Sequence, residues 1–392
     1  PNAAALYGSR AASGVLLITT KKGSKGRGLG VSFNSNVTLE NPMFLPEYQN
    51  EYGQGTNGAP YPDVAGMGTA SWGSRMDGTQ QIYYTGEQKA YSPQPNNVED
   101  YFETGEKLIN SVSVDKGGDD YSMRFSYTNN STTSIIPNSK LQSHNFNLRT
   151  LVDISDKLSF DGKATYFTQE LNNRVNLGSE GVLGYVYYMP RSVDVNDLKT
   201  YQMDSPSLYD PNSGLSDYDV ISYSGSGKSI GNPYWIQYED INDQRRDRFI
   251  GFGKVDYQFT DWLSAFIRVG GDITNVRTDF INPVGHHFNR YGRVEFNTDK
   301  YTEMNSDFLI TANKDFGEKI NLTANVGGNL SKRTAERMGV VGSQFKIPTR
   351  ALLANTNIQS STHTPMETKK VNSLYGSVSL GYDNFMYLDL TA

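Results

Sequence analysis

The sequence predicts an all-β chain: part of an antiparallel transmembrane β-barrel, with about eleven of an expected 22 strands present. Three observations carry that expectation. Composition is the first. The chain has 392 residues, of which only 36% are hydrophobic, yet it holds 26 Tyr and 38 Gly. Its mean hydropathy is −0.56. Soluble domains are closer to half apolar, and disordered chains are poor in aromatics. A barrel needs one apolar face per strand, a polar interior and aromatic girdles, which suits both halves of that composition. The second observation is an apolar–polar period of two, recurring in segments of about ten residues, the length a tilted strand needs to cross a bilayer. The third is that the connections alternate between tight and long.

The strands follow in order. Val31 to Leu39 alternates apolar with polar residues, which gives a strand two different faces. The same pattern is clear from Tyr121 to Thr128, Asn145 to Val152, Leu158 to Tyr166, Leu263 to Gly270, Ile320 to Leu330 and Leu374 to Tyr382. It is weaker at Leu108–Asp115, Phe249–Phe259, Phe308–Phe316 and Phe385–Thr391. The last of these stops before its pattern is complete, so the chain reads as a fragment of a larger barrel.

Small polar residues that tolerate turn dihedrals mark the tight connections: Gly117–Asp120, Ser155–Lys157, Thr260–Trp262, Gly317–Lys319 and Tyr382–Asn384. Tyr121, Phe160, Trp262, Phe316 and Phe385 stand beside them, as an interfacial belt requires. The long connections, expected to be extracellular loops, fall at residues 41–107, 171–245, 281–300 and 334–370.

Composition also excludes function classes. There is no Cys, so neither disulfides nor thiolate metal sites exist. A net charge of −6 without a basic stripe argues against nucleic acid. No run approaches the roughly 18 apolar residues of a membrane helix, so strands alone can place the chain in a membrane.

The opening segment, Ala4 to Gly23, differs from everything after it. It reads AALYGSRAASGVLLITTKKG. It resembles the end of the plug domain of SusC/RagA-type TonB-dependent outer-membrane transporters of Bacteroidota, with Ser13 where the usual pattern has Asn. Ser71-Trp72-Gly73, Met76-Asp77-Gly78, Asp100–Gly105, Ile136-Pro137-Asn138, Met189–Asp194, Asn232–Trp235 and Phe259–Leu263 extend the likeness along the chain. The resemblance implies that residues 1–25 end a plug and residues 26–392 form the N-terminal half of the barrel. It implies TonB-dependent import of a large nutrient, a glycan or oligopeptide, across the outer membrane. A SusD-like surface lipoprotein would be the lid, and TonB with its inner-membrane motor the energy source, its contact segment lying outside this sequence. Outer-membrane lipid would surround the wall. The alternative is a passive or adhesive barrel that displays surface loops; a plug segment speaks against it.

Candidate site residues fall into two groups. Tyr7, Gly8, Ser9, Arg10 and Gly14 carry the plug signature. The glycines serve backbone geometry. For Arg10 a bidentate ion pair with the barrel and a purely structural role both stand open. The second group is aromatic: Trp72, Tyr83, Tyr84, Tyr91, Tyr101 and Phe102 in the first long loop, and Tyr234 and Trp235, with Tyr238, in the second. Aromatic faces among Asp, Asn and Arg suit sugars, peptides or a protein lid. For the first loop, lid contact and self-packing rank above substrate contact. Residues 178–191 read as a short amphipathic helix that packs.

Four other motifs carry little. Ser222–Ser229 lacks the first Gly and the strand–helix setting of a phosphate loop. Asp210, Asn212, Gly214 and Asp217 lack the closing Glu of a calcium loop. His286-His287 has too few partner ligands for a metal. With four His in all, no nucleophile–base–orienter set emerges. The expectation is therefore a non-enzyme without metal or cofactor.

Overall fold

The computed structural model describes residues 28–64, 66–176, 181–201, 222–224, 231–383 and 385–392. The plug signature residues Tyr7, Gly8, Ser9, Arg10 and Gly14, and the Asp210–Asp217 motif, lie outside them. The described chain is dominated by one 11-stranded sheet in which strands pair in sequence order. Strand β1 (Gly30–Glu40) leads to a small separate hairpin, β2 (Gln80–Ile82) with β3 (Gln88–Ala90). The wall resumes with β4 (Gly105–Gly117), which pairs with β1, then β5 (Tyr121–Thr133), β6 (Lys140–Ser155) and β7 (Leu158–Asn172). Two short helices follow, α1 (Val182–Tyr187) and α2 (Pro233–Glu239). Next come β8 (Ile241–Thr260), β9 (Leu263–Val284), β10 (Tyr291–Phe316), β11 (Ile320–Phe345), β12 (Thr356–Tyr382) and β13 (Met386–Thr391). All ten wall pairings are antiparallel.

The eleven expected strands and four of the tight turns are present; of the fifth, Tyr382–Asn384, residue Asn384 lies outside the described residues. Gly317 and Asp383 adopt φ of 68° and 53° in their turns, the left-handed region that Gly and Asp tolerate best.

Two expected loops are corrected. Residues 281–300 and 334–370 are mostly strand: β9 and β10 are joined by residues 285–290 alone, and β11 and β12 by residues 346–355. A bilayer crossing needs about ten residues per strand, whereas β10, β11 and β12 run 26, 26 and 27 residues. The extra length is rich in charged and polar residues, and its apolar positions, such as Val294, Phe296, Met338 and Phe345, are too scattered to mark a strand by alternation. Ladder bonds and ion pairs such as Arg337–Asp299 (2.5 Å) and Arg277–Asp279 (2.9 Å) hold it. The expected helix at 178–191 is also shorter, with α1 six residues long.

The largest hydrophobic core does not sit in the sheet, although Val284, Val294 and Phe345 form a small buried cluster where β9, β10 and β11 end. Every residue of β1 is exposed. The main buried cluster draws on Met67, Tyr84, Val98 and Tyr101 from the β1–β4 connection, and on Val182, Val186, Met189, Val193, Val195, Leu198, Tyr223 and Tyr234 from the β7–β8 connection, with Ile136 between them. The two long connections therefore fold together into a module at the long-connection end of the wall.

Candidate functional site: a two-faced wall and its loop module

Alternation sorts the wall into two surfaces. On one, Phe249, Val255, Tyr257 and Phe259 of β8, Ile267 and Val269 of β9, Met304, Phe308 and Ile310 of β10, and Val326 and Leu330 of β11 are all exposed. Phe249 to Phe259 spans ten residue steps, roughly 33 Å along the strand and about 25 Å once tilted by some 40°, the height of a barrel's apolar band. Tyr127, Phe146, Tyr166 and Phe249 stand in register on four neighbouring strands of this face. Tyr127 Oη is 2.8 Å from His144 Nδ1 and Tyr166 Oη donates to Asp247 at 2.8 Å, so the hydroxyls meet polar groups where the band ends. This is the girdle chemistry of a membrane interface.

The opposite surface is polar and tied by cross-strand ion pairs. Arg124 holds Asp115 (2.5 Å), Arg149 holds Asp161 (2.6 Å) and Arg268 holds Asp307 (2.9 Å). Arg248 grips Asp272 through two nitrogens. Bidentate geometry makes these stronger than ordinary surface pairs. They stiffen a polar face without an apolar core behind it.

The loop module is organised around Arg191, only 2% exposed. Its guanidinium donates to Asn50 Oδ1 (3.0 Å), to the carbonyls of Gln94 (3.0 Å) and Pro95 (2.6 Å), and to Asn97 Oδ1, and it lies 4.7 Å from the Tyr48 ring centre. Asn97 returns two bonds to the Pro190 and Val193 carbonyls, both 3.0 Å. Charge is thus buried against neutral acceptors alone, and burial pulls the Arg191 pKa down. Gln54 adds a second link, bonding Gly68 O (2.8 Å) and Tyr223 O (2.5 Å). Tyr83 donates to Asp197 at 2.9 Å, which also pairs with Lys89. Asn232 caps α2 through the amides of Tyr234 (2.8 Å) and Trp235 (3.3 Å).

The sequence-level aromatic candidates separate by burial. Tyr84, Tyr91, Tyr101, Tyr234 and Trp235 are 1–7% exposed and pack the module. Tyr83 and Phe102 are half-buried. Burial raises the pKa of Tyr91 and Tyr234 to about 12 and pushes Tyr101 well above its ordinary value. Trp72, at 61%, stays open, with the Tyr52 ring 5.9 Å away; Tyr238 and Tyr188 are also open. Sequence reasoning missed Arg191, Asn97 and Gln54. Arg191 lay within the noted Met189–Asp194 segment, but nothing local marks its acceptors, 94 to 141 residues away.

His286 and His287 lock the module to the β9–β10 turn. His286 Nδ1 accepts from the amides of Phe288 (3.2 Å) and Asn289 (3.1 Å), and its Nε2 is 3.4 Å from Asp240. His287 Nε2 meets Tyr185 Oη at 2.5 Å. Burial, then the neighbouring His286, lowers the His287 pKa to about 3. Burial raises that of Asp240, partly offset by His286 and Asn282. Among the described residues no three His, Asp or Glu group as metal ligands.

A wall with one lipid-suited face, one polar face and girdles between defines a membrane β-barrel. Comparison narrows the class. No protein-family model matches the chain. TonB-dependent receptor SusC of Bacteroides thetaiotaomicron is 25% identical over 74% of the chain, and TonB-dependent receptor P3 of Formosa agariphila 22% identical over all of it. The RagAB peptide importer in its closed-closed and open-open states superposes with a TM-score of 0.71 over 98% and 100% of the chain, at 17% and 16% identity. The chain spans 27% and 36% of the two curated relatives and 44% of the RagAB chains. By sequence and fold together, the chain resembles part of the barrel of SusC/RagA-like TonB-dependent transporters.

Proposed function

We propose that the chain supplies the end of the plug (residues 1–25) and the N-terminal half of the barrel (residues 26–392) of an active outer-membrane importer. The importer carries a large nutrient, a glycan or an oligopeptide, under a SusD-like lipoprotein lid, and TonB drives it. It catalyses no covalent step; its work is gating and passage. The observation that carries this reading is the division of labour in one chain: a wall with a polar face stiffened by Arg–Asp pairs, and at its end a separately cored module that leaves Trp72 and Tyr52 exposed. Tyr and Trp dominate protein-interface hot spots, so this pair is the lid contact. The plug signature carried by Tyr7, Gly8, Ser9, Arg10 and Gly14 separates the importer from a passive pore.

The test uses the whole transporter in its host. Uptake of the labelled nutrient stops when TonB is deleted; uptake that persists without TonB defeats the importer reading. Trp72→Ala with Tyr52→Ala weakens co-purification of the lipoprotein by roughly tenfold or more, the scale of a hot spot. Tyr101→Phe, buried in the module, leaves it unchanged.

A further inference from the structure

Between α2 and the start of β8 lies a cavity of about 20 Å³, room for one ion or one water. Val182 of α1, Ile236 of α2 and Phe280 of β9 give it an apolar side. Gln237, Asp240 and Asn242 bring polar side chains to it. Asp240 is 7% exposed and Asn242 5%. Among the described residues, Asp240 Oδ1 and Asn242 Oδ1 are enclosed and accept no hydrogen bond. Strand β8 is flanked by β7 and β9, so neither oxygen faces an open strand edge.

The neighbouring groups cannot relieve these oxygens. Asn242 Nδ2 donates to Arg174 O (2.7 Å) and to Asn176 Oδ1 (2.9 Å). Turning the amide over would set its oxygen against both acceptors, so the oxygen stays on the other side. Asp240 Oδ2 is already taken: Asn282 Nδ2 donates to it at 2.9 Å, and His286 Nε2 lies 3.4 Å away. His286 brings no positive charge. Its Nδ1 accepts the amides of Phe288 and Asn289, so the ring's one proton sits on Nε2. Arg174 also lines the cavity but is exposed, and among the described residues no ion pair joins it to Asp240.

One carboxylate charge is therefore enclosed beside two bare acceptors and the Gln237 amide. A buried charge without a counter-charge is costly. A water would give the oxygens a donor and leave the charge; a cation answers both needs. Carboxylate and amide oxygens suit a hard cation. Calcium takes such ligands in flexible geometry, whereas magnesium keeps several waters that a cavity of this size cannot hold.

We propose that Asp240 Oδ1, Asn242 Oδ1 and the side-chain oxygen of Gln237 bind one calcium ion, which ties α2 of the loop module to the start of β8. A single carboxylate among neutral oxygens sets a weak Kd, about 1 mM, as in extracellular modules. The site stands on this geometry and does not depend on the importer reading.

The experiment uses the whole transporter in detergent, stripped with a chelator and then given calcium at about ten times that Kd, the same concentration of magnesium, or sodium chloride of matching ionic strength. By mass action, proteolytic cutting within residues 173–240 slows roughly tenfold in calcium and not in the other two. Asp240→Asn removes the charge, and its amide can donate to Asn242 Oδ1. This variant is cut no faster than calcium-free wild type and does not respond to calcium. No protection of the wild type, equal protection by magnesium or sodium chloride, or equal calcium protection of Asp240→Asn each overturns the site. A density map of the calcium-loaded wild type needs no variant: a peak about 2.4 Å from both oxygens is the expected result, and an ordered water only, at about 2.8 Å, overturns the proposal.

Discussion

The wall and the loop module use opposite rules. In the wall, each residue's surroundings follow from parity: odd or even position decides whether it meets the apolar or the polar face. Large hydrophobics such as Leu374 and Ile267 stay exposed, and ladder bonds with Arg–Asp pairs give the cohesion. In the module, hydrophobics are buried as in a soluble domain, around a buried guanidinium. The importer reading accounts for the difference by two media, lipid along the apolar face of the wall and water around a module that folds by excluding it.

The largest expected break in that comparison is Arg191→Met. It strands Asn97, Asn50 and two carbonyls in the module's interior, and should cost more than about 3 kcal/mol there. Limited proteolysis of the whole transporter should cut within residues 41–104 and 173–240, while the heat-resistant mobility of the barrel on gels stays unchanged. If the barrel fails at the same temperature as the module, the two regions are one cooperative unit. The wall's own test compares two positions on β11. Val326→Arg puts a charge on the lipid face near mid-band and costs about 2–4 kcal/mol in bilayer folding titrations. Asn329→Arg, on the polar face opposite Asp307, should cost less than about 1 kcal/mol. Equal costs would mean that the faces are misassigned.

The wall was legible because its signal is local. Val31 to Leu39 or Ile320 to Leu330 announces a strand within ten residues. Legibility stopped where the apolar face stopped, which is why residues 281–300 and 334–370 read as loops although they are ladders. The aromatic candidates were half legible. That Tyr101 and Tyr234 would pack against each other, rings 5.2 Å apart, depends on residues 133 positions apart in sequence. No window shows such a contact, and Trp72 carries the same letters of chemistry with the opposite exposure.

A smaller effect tests the seam where β9, β10 and β11 top out. Gly292 has φ of 81°, and a Cβ there would meet the Phe345 ring at 2.4 Å. Phe345 and Val294 are 0% exposed, so the ring has little room to yield. Gly292→Ala should cost about 1–3 kcal/mol from strain and overpacking together. Hydrogen exchange should rise in residues 285–294 and 343–356 but not at the short-turn end of the wall.

The smallest effect is the lock between the module and the β9–β10 turn. His287 is held neutral, with its pKa lowered to about 3 by burial and then by His286. Unfolded, the ring protonates near 6.5. Between those values the unfolded chain binds the extra proton, so stability from this group is full above about 6.5 and declines as pH falls toward about 3. Partial solvent access makes the effect modest. Asp240, whose pKa burial raises, contributes with the opposite sign, but it is present in both wild type and His287→Gln. The difference in module unfolding temperature between the two proteins, measured from pH 7 down to pH 4, therefore isolates His287. It should shrink or reverse on acidification as the wild type loses its advantage, and a difference that stays constant would mean that the ring is already solvated and the Tyr185 contact does not lock the turn.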